Sequence, residues 1–186
     1  MKKTALILLF FQKDFFPDGA NPVDGAQALA ERASPLLQCF RDHGGLHIHA
    51  QLENRNNGLG YCRPSTEGIR ISDIVAHYEG EPIVHVPVYD AFASGELADL
   101  LAGCDVRRLV LCGLPSVAIA ETVQSAVKLG LDIILCSDAC AFDIGMDMDG
   151  AGLSTMKVEQ LIGQLSLERI DEERHRRSGY QPGFSV

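Results

Sequence analysis

The sequence has 186 residues, enough for one domain with a sizeable core. Hydrophobic residues at 46%, charged residues at 22% and a mean hydropathy of +0.06 describe an ordinary globular composition and argue against disorder. The balance of 16 Lys and Arg against 25 Asp and Glu, net −9 with a pI near 5.0, argues against binding to nucleic acid or to an anionic membrane, both of which need basic surface.

Lys2 and Lys3 precede an apolar run, Ala5–Phe11, that resembles a signal peptide at first sight. It is too short to span a bilayer and leads into Gln12-Lys13-Asp14 with no small-residue cleavage site, so it is expected to be a buried first strand. Four further runs predict strands buried on both faces: Leu46–Ala50, Pro82–Val86, Arg108–Cys112 and Asp132–Cys136. A weaker sixth strand is expected around Gln164–Ile170.

Helices are predicted between them. Ser34-Pro35 reads as an N-cap followed by proline at the first helical position, opening Leu36–His43, which Gly44-Gly45 closes. Ser94 is placed to cap Glu96–Ala102. Pro115 or Ser116 opens a helix to Leu129, stopped by Gly130, and Ser154–Gly163 reads as the last helix. The alternation predicts a single α/β domain over 1–186: a three-layer α/β/α sandwich, Rossmann-like, on a mostly parallel sheet of about six strands, with 171–186 a polar C-terminal tail.

Six cysteines (Cys39, Cys62, Cys104, Cys112, Cys136 and Cys140) lack CxxC spacing, which predicts reduced thiols and a cytoplasmic protein rather than a disulfide framework. Ligand sites of open α/β sheets lie beyond the carboxyl ends of the strands. Here those are Phe10–Ala20, Gln51–Gly68, Val86–Phe92, Gly113–Ile119 and Ser137–Asp149.

Those loops carry a family resemblance. Ala5-Leu-Ile-Leu-Leu-Phe10-Phe-Gln12-Lys-Asp14-Phe15 resembles the "ALLVIDMQNDF" start of the isochorismatase-like cysteine hydrolases, which include nicotinamidases. Cys62-Arg-Pro-Ser-Thr66-Glu-Gly68-Ile, Tyr89-Asp-Ala91-Phe92 with Leu97, Leu109-Val-Leu-Cys-Gly113 with the helix to Gly130, and Asp138-Ala139-Cys140 follow in the family's order. The resemblance covers roughly residues 4–165. It implies an aspartate base after the first strand, a lysine after the third and a cysteine nucleophile at a helix N-terminus, where the helix end lowers the thiol pKa and backbone N–H groups stabilise an oxyanion. It also implies a homo-oligomer.

At the aspartate's place stands Phe10, at the lysine's Val86, and at the cysteine's Ala118 or Ile119. None of these is a base, a cation or a nucleophile, so no catalytic residue is expected at the family positions. The expectation is a small-molecule binder or partner subunit with a pocket of Phe10, Asp14, Cys62, Val86, Tyr89, Leu114, Pro115, Ala118 and Ile119. The alternative is a hydrolase of a small amide or of an isochorismate-like enol ether that uses relocated groups, Cys62 and Asp14. The family's cis peptide after the fourth strand falls on Leu114–Pro115, which is therefore expected to be cis.

Asp14 is expected to organise its loop through backbone N–H groups, and Cys62 to be the most accessible thiol, on a rim loop. Cys112 and Cys136 are expected to be packed, and Ser116 to cap its helix. Alternation puts His47, His49, Gln51 and Glu53 on one face, but the aspartate that would complete a zinc set is absent. Asp143, Asp147 and Asp149-Gly150 fit a calcium loop poorly, with Gly145 at its first position. Neither metal nor cofactor is expected. Asp171–Arg177 reads as a solvated charge run, and Tyr180 and Phe184 as residues that can pack on a neighbouring subunit.

Overall fold

The computed structural model describes residues 3–55, 60–141 and 152–166. Six parallel strands are present: β1 (Lys3–Leu9), β2 (Leu46–Leu52), β3 (Ile83–Val86), β4 (Val106–Gly113), β5 (Asp132–Cys140) and β6 (Leu153–Met156), in the order β3-β2-β1-β4-β5-β6. The central strands are apolar on both faces, as the continuous Leu, Ile and Val runs require, and Ala5–Leu9 are at most 1% exposed.

Three helices connect the strands: α1 (Ala26–Asp42), α2 (Glu96–Gly103) and α3 (Ser116–Lys128). α1 packs against β2, β4 and β5, while α2 lies against β4 and α3 against β4 and β5. The chain order makes β1 and β4 the switch point, with connections leaving in opposite directions on either side of it. Close approach there needs glycine, because a Cβ on Gly113 would overlap the side chain of Leu9.

Several boundaries differ from expectation, each for a local reason. β1 ends at Leu9 rather than Phe11 because Phe10 turns into left-handed backbone at φ 51. α1 opens at Ala26, not at Leu36, and Ser34 is no cap. Its first two turns, Ala26-Gln-Ala-Leu-Ala-Glu-Arg-Ala33, are strong helix formers whose buried face is an alanine stripe (Ala26, Ala30, Ala33), too weakly apolar to stand out. Pro35 is carried inside the helix, giving up only the bond to the Glu31 carbonyl. At α2 the cap position is Gly95, at φ 79, not Ser94.

The last elements differ most. Leu153–Met156 is a strand, pairing with Ile133–Cys136. Residues 158–166 are helical, so Gln164 lies in a helix and not in a sixth strand. That helix is capped from a distance, its Val158 N–H donating to Asp138 Oδ1 at 2.9 Å. The remainder of the expected strand, the loop with Asp143, Asp147 and Asp149-Gly150, and the tail with Asp171–Arg177, Tyr180 and Phe184 lie outside the described residues. No described helix is long and apolar enough to cross a membrane.

Candidate functional site at the carboxyl edge

The loops that follow β1, β2, β3 and β4 meet at the carboxyl edge, and Asp14 organises the first two. It is 8% exposed, in a 3-10 turn over Lys13–Phe15. Its Oδ2 accepts from the Cys62 N–H at 2.6 Å, and its Oδ1 from the Ala20 N–H at 3.2 Å. Its own N–H donates to the Gly68 carbonyl at 2.9 Å. A Cβ on Gly68 would land on the Asp14 carboxylate, so that glycine is needed for the approach. The loop-organising role expected of Asp14 is present, and both its oxygens are in use.

Gln12, which sequence reasoning left without a role, is fully buried and ties the same loops together. Its Nε2 donates to the carbonyls of Leu52 at 2.9 Å and Ile69 at 3.0 Å, and its Oε1 accepts from the Leu52 N–H at 2.7 Å.

Phe10, Val86, Ala118 and Ile119 belong to one continuous apolar cluster and are at most 1% exposed. Phe10 follows β1, Val86 ends β3, and Ala118 and Ile119 stand in the first turn of α3. Both of their N–H groups face the Pro115 carbonyl, Ala118 at 3.0 Å and Ile119 at 3.3 Å. Leu114 is buried, Pro115 is half-buried, and the bond between them is cis. The cap position of α3 is Pro115, so Ser116 is its first helical residue rather than its cap.

Cys62 corrects an expectation. It is fully buried, not the most accessible thiol, because at φ 51 its N–H turns inward to Asp14. Burial first, and the Asp14 carboxylate second, push its thiol up to about 12. It is a protonated thiol at neutral pH. Cys112 and Cys136 are buried as expected, and burial with the charge field of Cys136 pushes the Cys140 thiol well above its ordinary value. None of the six cysteines is in a disulfide.

Tyr89 is half-buried, its ring centroid 6.3 Å from that of Phe10. Its hydroxyl stands 2.6 Å from that of Tyr61, a residue sequence reasoning missed although it directly precedes Cys62. The loop after Tyr89 is latched to α3. Thr122 Oγ1 accepts from the Ala91 N–H at 3.1 Å, and Ser125 Oγ donates to Asp90 Oδ2 at 2.7 Å.

The histidines of β2 do not converge with Gln51 and Glu53 on a metal. His47 Nε2 lies 2.9 Å from Glu81 Oε1, and Arg41 grips both Glu81 oxygens at 2.7 and 2.8 Å. His49, 1% exposed, meets His77 edge-on at 5.7 Å. Gln51 donates to the Ile69 carbonyl at 2.8 Å, and Glu53 lies beyond the strand, paired with Arg55 at 2.9 Å. Among the described residues no group of three or more His, Cys, Asp or Glu is placed to hold a metal ion.

Known proteins share this architecture. The sequence pattern of the isochorismatase domain matches residues 4–164. The chain is 33% identical over 139 residues to the uncharacterized isochorismatase family protein YddQ of Bacillus subtilis (strain 168), covering 74% of this chain and 77% of that one. A putative isochorismatase hydrolase from Oleispira antarctica superimposes with a TM-score of 0.78 at 26% identity, over 87% of this chain and 97% of that one. The pyrazinamidase of Pyrococcus horikoshii, at 23% identity, shares the fold with a TM-score of 0.74 over 83% of this chain and 99% of that one. With the isochorismatase domain pattern matched over residues 4–164 and a family relative 33% identical over 74% of this chain, the chain belongs to the isochorismatase family.

Proposed function

We propose that this isochorismatase-family protein binds a small molecule at the carboxyl edge of its sheet and does not carry out cysteine-hydrolase chemistry there. One observation carries the reading: Phe10, Val86 and Ala118 or Ile119, buried side chains with no proton to move and no lone pair to attack with, occupy the positions that the resemblance assigns to a base, a cation and a nucleophile. A charged pair retained without its thiol would carry a desolvation cost, whereas three apolar groups leave no charge unpaired.

The relocated groups of a hydrolase reading do not favour it. Cys62 holds its proton, and Asp14 has committed both oxygens to backbone N–H groups. The family resemblance supports a homo-oligomer, checked by light scattering on the purified protein, and six cysteines without a disulfide support a cytoplasmic setting.

Incubation with nicotinamide, simple amides and isochorismate tests the chemistry. No turnover above background is expected, and none that Cys62→Ala changes. Turnover abolished by Cys62→Ala overturns the proposal. In the combined variant Phe10→Asp, Val86→Lys with Ala118→Cys or Ile119→Cys, the new thiol is expected to react with iodoacetamide faster than any thiol of the parent. An inert thiol in both versions would mean that the three positions are misassigned.

A further inference from the structure

At the end of the sheet opposite the loops described above, a cavity of about 330 Å³ opens beside the first residues of β4, β5 and β6. Its volume lies at the small end of the range of ligand pockets, about 300–1,000 Å³, which suits a compact molecule rather than a nucleotide.

Strand register decides which side chains face it. Arg108 of β4 lies opposite Asp132 of β5, Ile134 of β5 opposite Ser154 of β6, and Cys136 opposite Met156. Side chains alternate along a strand, so Arg108, Asp132, Ile134, Ser154 and Met156 share one face of the sheet. All five line the cavity, and Gln164, from the helix over 158–166, joins them. Ile134, 8% exposed, and the half-buried Met156 give the lining its apolar part.

Its charges are arranged in an unusual way. Arg108 and Asp132 are both half-buried and stand in register on strands about 4.8 Å apart. Opposite charges facing each other across such a pair attract by up to about 1 kcal/mol. No ion pair joins these two, and among the described residues the Arg108 guanidinium makes no hydrogen bond or ion pair. The next residue in the chain, Arg107, is exposed and meets Asp105 at 3.1 Å. Asp132 has an interaction of its own, and its two carboxylate oxygens keep acceptor sites beyond one bond. A Cβ on Gly152 would stand 3.7 Å from Asp132 Oδ1, which puts that oxygen beside the start of β6.

A cation and an anion set side by side but apart favour a ligand that meets both. A simple anion would gain the guanidinium and be repelled by Asp132, and a simple cation would meet the reverse. A zwitterion whose two charges sit on adjoining groups satisfies each without offending the other.

We infer that this cavity at the amino end of the sheet is a ligand site, and that it takes a zwitterionic amino acid with an apolar side chain. The ligand carboxylate lies on the Arg108 fork, whose parallel N–H donors suit its two oxygens. The ammonium donates to Asp132, and the apolar side chain packs toward Ile134 and Met156. This site is separate from the carboxyl edge, and the binding role proposed there stands or falls without it.

Three probes of one shape separate the alternatives: leucine, 4-methylpentanoate, which lacks the ammonium, and 3-methylbutylamine, which lacks the carboxylate. Each is titrated against the full-length protein by calorimetry or saturation-transfer NMR. Leucine is expected to bind at least about tenfold tighter than either of the others, the discrimination that one charge-assisted hydrogen bond supplies. Arg108→Met keeps most of the side-chain length and is expected to bring leucine to or below the affinity of 3-methylbutylamine. Asp132→Asn keeps the shape and is expected to bring it to that of 4-methylpentanoate.

No binding of leucine, equal binding of all three probes, or tightest binding of a singly charged probe overturns the inference. A leucine preference that survives in either variant overturns it too, because the binding would then lie elsewhere. Should the variants fail to fold, the ranking of the three probes on the parent protein still decides.

Discussion

Two buried corners of the molecule treat polarity in opposite ways. Beside β2, Arg41, His47 and Glu81 bring charge to an interface between α1 and the segment that leads into β3. At the carboxyl edge, Phe10, Val86, Ala118 and Ile119 offer none, and the charge that remains, on Asp14, is covered by backbone donors. Burial at both corners demands that every charge have partners. The first corner meets the demand by supplying them, the second by doing without most of the charge.

Removing the anion at the first corner has the largest expected effect. Burial raises the Glu81 carboxyl, but hydrogen bonds from Arg41, the Tyr78 N–H and His47 outweigh it and hold the group at about 2. Glu81→Ala leaves Arg41 and His47 facing no counter-charge and is expected to cost about 3–4 kcal/mol, read from urea unfolding at pH 7. A loss below about 1 kcal/mol would put the cluster among ordinary surface pairs. Asp14→Ala comes next. It strands the N–H groups of Cys62 and Ala20, and about 2–3 kcal/mol is expected. Should it prove the costlier of the two, the carboxyl edge would be the corner more dependent on charge.

His49 sharpens the comparison through pH. Burial first, then the neighbouring His77, lowers its pKa to about 3, and among the described residues its Nε2 has no hydrogen-bond partner. Below about pH 6.5 the unfolded chain takes up a proton that the folded chain refuses. Stability on this account is intact above that pH and falls by about 1.4 kcal/mol per pH unit as pH drops toward 3. Below about pH 4.5 the carboxylate of Glu81 adds a loss of the same sign. His49→Leu is expected to remove one proton's worth of slope between pH 6.5 and 4.5, with little change at pH 7, as pH-resolved urea midpoints will show. An unchanged slope would mean that another group carries the dependence.

The smallest effect belongs to the exposed pair of Lys13 and Glu67, 2.6 Å apart with Glu67 63% exposed. Glu67→Gln is expected to leave the urea midpoint within error, since solvent and salt already screen the pair. A measurable loss would extend the charged corner's behaviour to the surface.

What the sequence made legible follows from the range of each interaction. Five strands are readable because strands buried on both faces need unbroken Leu, Ile and Val runs, and the loop role of Asp14 is readable from its place after the first strand. The start of α1 is hidden because alanine fills a tight helix–sheet contact without a strong apolar signal. β6 is hidden because Leu153-Ser-Thr-Met156 at a sheet edge has only half-buried and exposed residues. Cys62 is misjudged because its burial comes from a left-handed turn and a bond to a residue 48 positions away. The grip of Arg41 on Glu81 spans 40 positions, and no local pattern announces it.

The strand order has one more consequence. Connections depart to the left and to the right of the β1–β4 seam, so the meeting of loops at its carboxyl end is a product of how the chain is wound and not of the side chains those loops carry. That meeting point persists whatever side chains the loops present. A scaffold of this kind can exchange reagents for receptors one side chain at a time, its architecture indifferent to which of the two it houses.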